Sequence, residues 1–154
     1  MGATSLLEVR DALHELVSAA LAAEGVDVLW NPPTEAEELS ELTAAFWVNS
    51  IDVDAEPWTL PSGLRELYVM TLVIKCLPSD GDVTSRDAAT AVLALADVVY
   101  GVVTSNARPL ASTAAWDARI TWAGYSFQDL RLEKPSGFAA GVEIRIGVEA
   151  TRCS

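Results

Sequence analysis

Few side chains in this sequence are placed to do chemistry. His14 is the single histidine and lies between Leu13 and Glu15 in a helical pattern, where it reads as a half-exposed helical residue rather than a general base. No serine or cysteine stands in the tight strand-to-helix turn that presents a nucleophile, so neither a Ser-His-Asp nor a Cys-His arrangement has its parts. Glu35, Glu37, Glu38 and Glu41 crowd one stretch, and Ser79-Asp80-Gly81-Asp82 starts like a calcium loop. Neither continues into the series of oxygen ligands that such a loop needs. The first reads as an acidic interface turn, the second as an Asp-Gly turn. Cys76 and Cys153 fit neither a zinc site nor a disulfide framework and read as two reduced thiols made in a cytoplasm. There is no glycine-rich phosphate loop and no dinucleotide fingerprint. The sequence therefore predicts no catalytic, metal or cofactor site.

Without chemistry to position, the composition points to assembly. The chain has 154 residues, enough for one domain with a substantial core, a hydrophobic fraction of 51% and a mean hydropathy of +0.26. No apolar run reaches the length of a transmembrane helix, and the first residues lack the pattern of a secretory signal. Such excess hydrophobicity without a membrane segment suggests surface buried against other subunits. The net charge of −12 argues against nucleic-acid binding, which needs clustered Lys and Arg to displace counterions. The five tryptophans read as core or interface residues rather than as stacking platforms.

The elements follow from periodicity. Leu6, Val9, Leu13, Leu16, Val17, Ala20 and Leu21 form one helical stripe over residues 5–24, with Gly25 as its stop. A short strand is expected over 26–30, and Thr34-Glu35-Ala36-Glu37 has capping-box spacing for a helical turn. Residues 45–54 alternate as a second strand. Glu56, Pro57, Trp58 and Leu60 fall in a loop over 56–63 that is a candidate contact element for another protein or subunit. The run over 67–77 is β-branched, aromatic and apolar on both faces, as expected of a central strand. A second helix starts after Thr84, with Ala88, Ala89, Val92, Leu93, Ala96, Val99, Tyr100 and Val103 as its buried stripe.

Residues 116–132 read as a long strand kinked at Gly124, with Trp116, Ala118, Ile120 and Trp122 on one side. The last strand alternates Val142, Ile144, Ile146, Val148 and Ala150 against Glu143, Arg145, Gly147, Glu149 and Thr151. The predicted fold is α+β: a mostly antiparallel sheet of about five strands with two helices on one face, in the order helix, three strands, helix, two strands. Its second face would be apolar at the centre and charged on the last two strands, suiting a subunit interface around a polar channel.

The layout resembles the tail terminator proteins of long-tailed, siphovirus-type bacteriophages. The resemblance rests on the opening helix with Val9-Arg10-Asp11-Ala12-Leu13, the turn Leu29-Trp30-Asn31-Pro32-Pro33 and the strands over 45–54 and 67–77. It continues through Gly81-Asp82 and the alanine-rich helix, Arg108-Pro109-Leu110-Ala111, the Trp116-Asp117-Ala118-Arg119-Ile120 strand and the closing strand over 143–152. The high Ala and Val content looks like phages of actinobacterial hosts.

The resemblance implies a structural virion protein at the neck, assembled in the host cytoplasm. It would be a hexameric ring on the head-proximal end of the tail tube that ends polymerisation and joins the tail to the head-tail connector. Its partners would be further copies of itself, the tail tube protein and the connector, with DNA passing through without adhering. Glu143, Arg145 and Glu149 are then the expected inner, lumen-facing residues. The same fold would also suit another neck or head-tail connector component, and a small-molecule-binding α+β domain is a third reading, in which the chain would be a monomer or dimer with an enclosed apolar pocket.

Overall fold

The computed structural model describes residues 4–30, 43–48, 50–57, 64–76, 85–107, 111–112, 116–133 and 136–152. Among these residues two helices, α1 (Leu6–Ala22) and α2 (Ser85–Ser105), accompany seven strands: β1 (Val28–Leu29), β2 (Thr43–Trp47), β3 (Asp54–Pro57), β4 (Leu64–Cys76), β5 (Ala111–Ser112), β6 (Trp116–Glu133) and β7 (Ser136–Arg152). They make one sheet in the order β1-β2-β4-β7-β6-β5, with β3 beside the first half of β4. All pairings are antiparallel except β1 with β2. The fold is the α+β class that the sequence predicts.

β4 is central, as its two-sided hydrophobicity predicts. It pairs with β7 from Arg65↔Thr151 to Cys76↔Ala140. Tyr68, Met70, Leu72, Ile74 and Cys76 point into the core, as do Val142, Ile144, Ile146, Val148 and Ala150 of β7. The helices close over this face. Val9, Leu13, Val17 and Leu21 of α1 and Val92, Leu95, Ala96, Val99 and Val103 of α2 join the same cluster. Gly25 ends α1 as expected, with φ +76°. Its N–H donates to the Ala22 carbonyl at 3.0 Å and the Val26 N–H reaches the Leu21 carbonyl at 2.9 Å. That doubly bonded stop places buried Val26 against the end of the helix.

Three expectations need correction. The strand expected over 45–54 is broken: β2 ends at Trp47 and β3 begins only at Asp54. Ser50 and Asp52, in the gap, are exposed, where their polar side chains keep their water. Glu56 and Pro57, expected in a loop, belong to β3 and lie opposite Arg65 and Leu64. The irregularity of β6 is at Thr121, not Gly124: the register slips between Ile120 and Trp122. Trp58 and Leu60, the Glu35, Glu37, Glu38 and Glu41 turn, and the Asp80-Gly81 turn lie outside the described residues.

Candidate interaction surface

The helices cover one face of the sheet; among the described residues no helix lies on the other, which is called the open face below. On it lie the odd-numbered residues of β4 and β7, with Val69 opposite Gly147, Thr71 opposite Arg145 and Val73 opposite Glu143. Its centre is apolar: Leu67, Val69 and Val73, with Phe46 of β2 opposite Val73. Val69 is 37% exposed, while Phe46 and Val73 are nearly covered by one another and by their neighbours.

The slip at Thr121 decides what the open face presents. An extra residue in one strand turns every later side chain to the opposite side. Trp116, Ala118 and Ile120 are buried, but Trp122, which the alternation of the sequence assigns to the same side, is 49% exposed and stands opposite Gly147. The glycine makes this possible. A Cβ at position 147 would meet the Trp122 Nε1 at 2.1 Å, so the indole lies directly on the backbone of β7. The Thr121 hydroxyl donates to the Gly147 carbonyl at 3.3 Å from the same bulge. Beside the indole runs a groove of about 510 Å³ bordered by Ser50, Asp52, Asp54, Val69 and Thr71. A second groove of about 450 Å³ lies at the far end, between Phe46, Lys75, Ser126 and Glu143, where the Lys75 ammonium stands 5.9 Å from the Phe46 ring centre.

Glu143, Arg145 and Glu149 share this face, in register with Val73, Thr71 and Leu67. Their charges are partly compensated. The Arg119 guanidinium pairs with Glu149 at 3.1 Å, and Arg145 donates to the Ser126 hydroxyl at 3.2 Å. The exposed Asp11, Glu15, Glu24 and Asp97 belong to the helices or their ends instead. The open face is thus apolar in the middle with mixed charge around it.

Two polar clusters that periodicity does not reveal lie on the helix side. Glu66 is buried, and its Oε1 accepts from the Ser5 N–H at 2.7 Å and the Ser5 hydroxyl at 2.6 Å. With its one proton committed there, the Ser5 oxygen accepts from the Tyr68 hydroxyl at 3.0 Å. Burial pushes the Tyr68 phenol far above its ordinary range; the Ser5 bond opposes this and the Glu66 and Glu8 charges add to it. From the helix-facing side of β4 the carboxylate accepts at the start of α1, where the helix dipole favours negative charge. Every group is occupied by another, so the cluster reads as a fastening.

His14 belongs to the second cluster. Its Nδ1 accepts from the indole N–H of buried Trp47 at 3.1 Å. An indole nitrogen only donates, so the imidazole is neutral with its proton on Nε2, 3.3 Å from the Ser18 hydroxyl. Burial holds its pKa below the usual histidine value; the Arg10 charge adds to this and Asp11 opposes it. Arg10 lies 4.6 Å from the Trp30 ring centre and donates to the Trp30 carbonyl. Together these contacts fasten β1 and β2 to α1.

Among the described residues, no group of three or more His, Cys, Asp or Glu is placed to hold a metal ion, and no helix is long and apolar enough to cross a membrane. No protein-family model matches the chain, and no curated protein matches its sequence.

Proposed function

We propose that this chain is a structural ring subunit of a long-tailed phage. It closes the head-proximal end of the tail tube and offers the connector its docking surface. The observation that carries the reading is the face of the sheet on which no described helix lies, where Val69 and Trp122 are exposed beside the half-buried Leu67. A face of this kind favours contact with neighbouring subunits. The order of elements supports the same reading, because it follows the layout on which the resemblance to tail terminators rests.

In this role the chain binds no cofactor and carries out no reaction. Its work is geometric, because heterologous contacts that repeat around an axis close into a ring. The mixed charge of Glu143, Arg145 and Glu149 suits a surface that either lines the channel or meets the next subunit. The acidic helices keep passing DNA from adhering.

Negative-stain imaging with native mass measurement at high protein concentration, then addition of tail tube protein, tests the proposal. Closed six-fold rings that halt tube growth are the expected result. A twelve-fold ring that ignores the tube would assign the chain to the connector instead. A stable dimer carrying a bound small molecule would overturn the assembly reading.

A further inference from the structure

The groove beside Trp122 has a flat apolar floor and an acidic wall. An atom at the Cβ position of residue 147 would stand 2.1 Å from the Trp122 Nε1 and 2.5 Å from both Cδ1 and Cε2. Those distances put it over the ring and not in its plane. The indole therefore lies flat on β7, with one face against Gly147 and the other turned outward. Along the same side of the sheet Val69 lies opposite Gly147, and Leu67 lies opposite Asp54 of β3. The floor runs from the indole over Val69 and Leu67 to Asp52 and Asp54, which are both exposed and both border the groove. Among the described residues neither carboxylate has an ion pair or a hydrogen bond. Neighbouring charges are already engaged, Glu149 with Arg119 and Arg145 with the Ser126 hydroxyl.

We propose that this groove binds an arginine side chain from an extended segment of a partner protein. The guanidinium sits at Asp52 and Asp54, the methylene stem lies over Leu67 and Val69, and the segment's main chain continues across the outer face of the indole. Asp54 and Gly147 stand on strands either side of β4, about 10 Å apart at the usual strand spacing. That is a span for a long side chain together with its adjoining peptide plane. Charge selects this occupant. A neutral or apolar segment would take both carboxylates out of water with nothing to compensate them. An acidic segment would be repelled by them and by the −12 of the whole chain. Arginine suits the wall better than lysine, because its planar five-donor fork can serve both carboxylates and gives up its water more readily. Its stem covers apolar surface while the charged head stays at the polar rim. The inference concerns the single chain and does not depend on the tail-tube role.

The test titrates the full chain, isotope-labelled for NMR, with a blocked Gly-Arg-Gly peptide and with its neutral isostere Gly-citrulline-Gly. The Trp122 indole N–H signal is assigned by its loss in Trp122→Phe. Saturable shifts of that signal and of the Val69 and Gly147 amides, with the arginine peptide alone, are the expected result. Binding should weaken about tenfold or more in Asp52→Asn/Asp54→Asn. An Asp11→Asn/Glu15→Gln variant removes as much charge from α1 and should bind as wild type does. All four positions are exposed, so both variants keep the wild-type spectrum elsewhere. Equal weakening in the two variants would reduce the binding to overall charge, and equal shifts with the citrulline peptide would remove the guanidinium; either overturns the inference. So does a groove that ignores the arginine peptide, or one that a neutral sugar such as maltose saturates in its place. Rings formed by a chain that ignores the peptide would remove this inference and leave the proposed ring. Peptide binding by a chain that never closes would do the reverse.

Discussion

Along β7, neighbouring residues meet opposite fates. Val142, Ile144, Ile146 and Val148 are buried beneath the helices, while Glu143 and Arg145 between them are exposed. β4 differs: Leu72 is fully buried on the helix side, and Val69 on the open side is 37% exposed though as apolar as a core residue. A polar open face on β7 would by itself describe a sheet with one side in water. The apolar open side of β4 makes the difference informative, because those side chains gain nothing from facing water in a lone chain.

The largest expected effect separates the two faces directly. Leu72→Ala should destabilise the chain by about 2–5 kcal/mol, as truncating a fully buried leucine does. Val69→Ala should cost less than about 1 kcal/mol in the monomer and act on association instead. Denaturant unfolding below the association range checks both, and equal costs would erase the distinction between the faces.

Next comes Glu66→Ala, which strands the buried Ser5 N–H and hydroxyl and should cost about 1–3 kcal/mol. Amide exchange in the first turn of α1 should rise with it; an unchanged first turn would mean that the carboxylate does not hold the helix. Gly147→Val tests the open side. Its side chain needs the space of the Trp122 indole, so the ring must swing away. A red-shifted tryptophan emission is expected, with a stability loss of about 1–3 kcal/mol.

The smallest effect is electrostatic. The folded state holds His14 below its unfolded pKa, so its contribution is complete above about pH 6.5 and declines as pH falls from there through the depressed folded value. Protonation places a proton on the Nδ1 that accepts from Trp47. Comparing wild type with His14→Gln between pH 7 and pH 5 should show this slope in wild type alone. An equal slope in both proteins would assign the acid sensitivity to other groups.

Much of the fold was legible because helix and strand periods are written into the sequence. The stripe from Val9 to Leu21, the Gly25 stop, the two-sided β4 and the alternating β7 all rest on local spacing. The break of the second strand was not legible, because Phe46 to Val53 alternates well enough to look continuous. The bulge was not legible either. A single extra residue leaves the composition of β6 unchanged and shows only when its partner strand is known. Of the candidate surface, Glu143, Arg145 and Glu149 could be placed on one face from alternation alone, while Trp122 was assigned to the wrong side for that reason. Glu66 left no signal, since an acid at the end of an apolar run normally marks solvent.

The sequence by itself determined the α+β class, the two helices with most of their buried stripes (Tyr100, expected in the second, is 41% exposed) and the central place of β4, because each depends on residue type and local period. Only the tertiary structure decided that Glu66 fastens α1 and that His14 accepts from Trp47, because these contacts join residues 61 and 33 positions apart. It also decided that Trp122 faces outward over Gly147. The side on which a strand residue emerges is set by its register against the neighbouring strand, and one slipped residue reverses it.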